Sequence, residues 1–188
     1  MKILKINPEL AAKYEVNWWK AHHYGDKISL IVNLVRHNQV LYEINIMKAI
    51  SLVLILVPAA KAHNQKDEQT ALIHMTKYYE HVKKYLKSEM VAESVAKAEV
   101  QSWWVHDDLD KSPNKNELTK SFQKLYSGLL GLSEDKVIKL SKLKTVANTN
   151  HDMAESTNDK VLEIEYWRNT ESSLKEFYKE LNLLMKTT

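Results

Sequence analysis

Glutamate, tryptophan, histidine and aspartate recur twice in this chain at the same spacing. Residues 12–27 read AKYEVNWWKAHHYGDK and residues 96–111 read AKAEVQSWWVHDDLDK. The two spans align without a gap and share eight of sixteen residues, among them Glu15/Glu99, Trp19/Trp103, His22/His106 and Asp26/Asp110. Such self-similarity is the signature of a duplicated structural unit. On a helix, which turns about 100° per residue, each Glu–Trp–His–Asp set lies along one narrow stripe. The large aromatic at its middle turns the stripe inward, and carboxylates on an inward face need partners.

Two chemistries fit this pattern. In the first, a pseudo-twofold axis makes the stripes face one another, and Glu15, His22, Glu99 and His106, with Asp26 and Asp110, converge on shared interior space. Helical bundles build carboxylate–imidazole metal sites in this way, and such donors suit iron, manganese or zinc. Trp19 and Trp103 would then be apolar walls for a cofactor or small-molecule ligand. The Glu and His of one stripe are seven residues apart, about 10 Å along the axis, so an ion needs donors from both helices, such as Glu15 with His106. Metal-assisted oxidation is the reaction class this implies. In the second chemistry there is no ligand: His22 pairs with Glu99 and His106 with Glu15 as a hydrogen-bonded clamp. Asp26 then caps the following helix, and the protein is a non-enzymatic interaction module.

Other chemistries are excluded by what the chain lacks. Cysteine is absent, which removes disulfides, thiolate metal sites and thiol nucleophiles. There is no H-E-x-x-H, no G-x-S-x-G and no glycine-rich phosphate loop. Lys and Arg number 27 against 24 Asp and Glu, a charge of +3 spread thinly along the chain with Arg36 and Arg168 as the only arginines. Nucleic-acid binding is therefore disfavoured. Other histidines are weaker candidates. His74 and His81 share a helix face with Tyr78 and Tyr85, which reads as an aromatic face over a neighbouring helix. His151 and Asp152 lie in a polar stretch that reads as a solvent-exposed bend before a cavity lining. His37 and His63 read as surface residues.

The elements that must hold these groups are helices. Only three glycines and three prolines occur in 188 residues, too few for the turns of a sheet fold. Apolar spacing predicts eight helices in one domain spanning 1–188: an all-α bundle of two fused, pseudo-twofold-related four-helix repeats, about 8–89 and 91–186. Asn7-Pro8 reads as the start of the first helix and Gly25 as its stop. Pro58 reads as a kink or break in the third helix. The junction, KSEMVAESVAK, has no glycine or proline, and permits the fourth and fifth helices to run together. In the last helix, Ile164, Trp167, Leu174, Tyr178, Leu181 and Met185 are predicted to face inward. The N-terminus has no apolar run of a signal peptide, and residues 50–60, ISLVLILVPAA, are half the length of a membrane span. They read as a buried core helix of a soluble, cytoplasmic protein without a membrane span; assembly into a homo-oligomer stays open.

Overall fold

The structure is a computed structural model and describes residues 4–109 and 112–186. Among these residues there are eight α-helices and no strand: α1 (Pro8–His23), α2 (Lys27–Tyr42), α3 (Ile46–Asn64), α4 (Glu68–Leu86), α5 (Ala92–Leu109), α6 (Asn116–Leu130), α7 (Ile138–Ser156) and α8 (Lys160–Leu184). One 3-10 turn, Glu134–Val137, leads into α7.

The ends are fixed by local chemistry. Asn7 accepts the Leu10 amide ahead of Pro8, whose missing N–H costs nothing at this position. Asp26, Asn45, Asp67 and Asp159 cap α2, α3, α4 and α8 in the same way. Gly25 follows α1 in the left-handed region, at φ 72°. Pro58 lies inside α3 and does not break it. The junction does not continue α4 into α5, because Lys87 adopts φ 48° as the left-handed cap of α4. Helix propensity along the junction yields to the return of the chain against its own core.

Each helix packs on the next in sequence, and α8 packs on α1, so the principal contacts close into a ring. A hydrophobic core runs through it, from Leu4 and Ala11 to Leu181 and Met185. Asn182 helps to seal the ring: its amide receives the Ile6 N–H at 3.1 Å and donates to the Ile6 carbonyl at 2.7 Å.

Burial corrects the sequence reading at several points. Ile164 is 54% exposed while its neighbour Trp167 is buried. Helix α3 buries one face only, through Ala49, Leu52, Val53, Ala59 and Ala62, and exposes Met47, Ile50, Leu54 and Val57. His37 and Tyr78 are buried, and His63 is half-buried. Residues 151–152 belong to α7, and Asp152 is buried.

Candidate metal centre

The repeated stripes sit where α1 and α5 enter the core. Glu15 is 4% exposed beside Trp19, and Glu99 is half-buried beside Trp103. His22 is exposed at the end of α1, and Asp26 is exposed as the cap of α2. Asp110 lies outside the described residues.

Glu15 and Glu99 do not take the histidine partners that the clamp assigned them. Lys144 of α7 donates to Glu15 Oε1, and Tyr178 of α8 donates to Oε2. With the Tyr178 proton engaged in that bond, the His37 ring nitrogen Nε2, 2.7 Å from Tyr178 Oη, is left as the donor to the phenol oxygen. Glu99 instead receives Trp103 Nε1 at 2.9 Å and Tyr79 Oη at 3.1 Å. Burial alone would raise the Glu15 carboxyl, but the Lys144 and His37 charges and the donated bonds outweigh it and hold it below its ordinary value. Burial pushes Glu99 up, and the Trp103, Lys144 and Tyr79 contributions do not reverse it. Burial also lowers His37, against the pull of the Glu15 carboxylate.

His106 turns away from both carboxylates. Its Nε2 lies 2.8 Å from Asp152 Oδ1, and His151 Nδ1 lies 3.2 Å from the same oxygen. One donor atom each from His106, His151 and Asp152 fall within 4.8 Å of one another. Around them stands a second layer. His151 Nε2 lies 3.0 Å from Glu155, which also has His23 Nδ1 at 3.5 Å. Lys115 donates to the other oxygen of Asp152 at 2.9 Å. The His151 ring packs on Trp19 and Trp167, with centroids 4.8 and 5.6 Å away. Burial works against a charged His151, yet bonds to Asp152 and Glu155 raise it to about 9. Asp152 is held far below the carboxylate range: burial opposes ionisation, but His106, His151 and Lys115 prevail.

Of the repeated-stripe residues, only His106 enters this cluster, with Trp19 as part of its wall. His151 and Asp152 read first as a solvent-exposed bend because a polar stretch within a helix resembles one, and the structure places them in α7 with Asp152 buried. The available signal was their spacing to Glu155: His151 and Glu155 are one helical turn apart and face the same way.

Comparison with protein-family models, curated proteins and solved structures finds no match to this chain.

Proposed function

We propose that the protein binds a divalent metal ion at His106, His151 and Asp152. The observation that carries this reading is the meeting of two imidazoles and one carboxylate, from α5 and α7, within the span of a single ion. Two nitrogens and one oxygen with further positions open suit iron(II), manganese or zinc, and an open position is what metal-assisted chemistry requires. The surroundings support it. With Nδ1 of His151 turned to the ion, Nε2–H donates to Glu155, the carboxylate–histidine–metal relay that fixes a ligand's tautomer. Lys115 occupies the far oxygen of Asp152 and so orients the near one. Metal-dependent oxidation is the reaction class to test first.

The same reading places the centre in a duplicated ring. Tyr79 of α4 serves Glu99 of α5, as Tyr178 of α8 serves Glu15 of α1. Met75 with Leu174, Val82 with Leu181 and Leu86 with Met185 keep the same register, and all six are buried. His63 on Trp103 matches His151 on Trp19. Two four-helix repeats account for these pairs, and divergence between them leaves one such cluster among the described residues.

Cobalt(II) titration tests the site directly, since d–d absorption reports nitrogen and oxygen ligands. Saturable visible absorption is expected, lost in His151→Ala and weakened about 10–100-fold in Glu155→Gln. Absorption unchanged by both substitutions would refute the site.

A second reading rests on a specific observation: both oxygens of Asp152 already have protein partners, His106 and His151 on one and Lys115 on the other at 2.9 Å. On that reading the network is a clamp joining α5, α6 and α7. Stability with and without metal separates the two, because a clamp gains nothing from the ion.

A further inference from the structure

We propose that the outer faces of α2 and α3 dock on an anionic lipid surface. Among the large apolar side chains exposed on these two adjacent helices are Ile28, Ile31 and Val32, then Met47, Ile50, Leu54 and Val57. Ile28, Met47 and Leu54 are 80, 69 and 70% exposed, far beyond what an isolated surface residue needs to account for. On α3 the four recur at helical spacing, forming a stripe opposite the face that packs into the ring. Of the described helices, α3 alone is long and apolar enough to cross a bilayer, with mean hydropathy 1.6. Its buried alanines and Leu52 hold it in the ring, so it meets a membrane side-on.

Charge identifies the occupant. The hairpin of α2 and α3, residues 27–64, holds Lys27, Arg36, Lys48 and Lys61 against one carboxylate, Glu43, a net +3 that equals the charge of the whole chain. Lys27, Arg36, Lys48 and Lys61 are exposed. Helix α7 has no such stripe: exposed Lys139 and Lys142 stand between its exposed Ile138 and Val146, with Met153 two turns further on. A second copy of this chain would set one basic rim against another, whereas apolar side chains framed by lysines match the interface of a membrane rich in acidic lipids.

Co-sedimentation with phosphatidylcholine vesicles, with and without phosphatidylserine, tests the proposal. The full chain is expected to bind only the vesicles that contain phosphatidylserine and to lose them in high salt. Binding should weaken about tenfold in Lys48→Glu/Lys61→Glu, and as strongly in Met47→Ser/Leu54→Ser, with helicity unchanged in both. No binding by the full chain, or equal binding by full chain and variants, overturns it. So does a concentration-dependent dimer, seen by analytical ultracentrifugation, that Met47→Ser/Leu54→Ser abolishes, because the face would then belong to a second copy.

Discussion

Glu15 and Glu99 occupy matching places in α1 and α5, yet their surroundings drive their proton affinities apart. Glu15 has Lys144 against it, whereas Glu99 takes its hydrogen bonds from neutral donors, Trp103 and Tyr79. A carboxyl whose affinity is lowered by folding adds stability above its ordinary value of 4.5 and loses it as pH falls. One whose affinity is raised adds stability only at low pH, and loses it as pH rises through the folded value. Glu15→Gln should therefore destabilise the protein at pH 7 by about 3 kcal/mol, since it strands Lys144. Glu99→Gln should leave stability unchanged or raise it at pH 7, with the difference from wild type shrinking below pH 4.5. Thermal melts across pH measure both, and parallel shifts of the two variants would contradict the assignment. The glutamates were legible in the sequence as a repeated inward pair. Their partners were not, because Lys144 and Tyr178 lie 129 and 163 residues from Glu15, and Tyr79 and Tyr178 match at a different offset from the one that relates the glutamates.

At the scale of elements, caps were the most legible feature. Asn7-Pro8, Asp26 and Asp159 each announce a helix start through side chains that compete for free amides. Lys87 gave no such signal. A lysine in the left-handed region, at φ 48°, is costly, and only the packing of α4 against α5 requires it there. Lys87→Gly should stabilise the protein by about 1 kcal/mol, read as a higher midpoint in urea; a lower midpoint would mean that the lysine stem is packed. Pro58 does not break α3, since a long helix held along one face absorbs a single missing bond. The outer face of α3 was also misjudged: apolar composition marks burial only when something covers it.

For the whole molecule, the ring depends on closure between its ends. Asn182 grips the Ile6 backbone with two hydrogen bonds, and α8 lies along α1. Asn182→Leu should cost about 1–3 kcal/mol, and speed amide exchange at Ile6 before that of the central helices. Uniform loss of protection would show instead that the ring opens only as one unit. Closure also brings Trp19, from the first turn of the ring, onto His151 near its end, so that the cluster of His106, His151 and Asp152 is walled by both halves of the chain. Whether that cluster holds an ion is read from the metal content of protein purified without chelator or nickel resin and reconstituted without oxygen. About one iron, manganese or zinc ion per chain, absent from His106→Ala and His151→Ala, is the predicted result. Metal-free wild type after reconstitution, or metal retained in both variants, would contradict it.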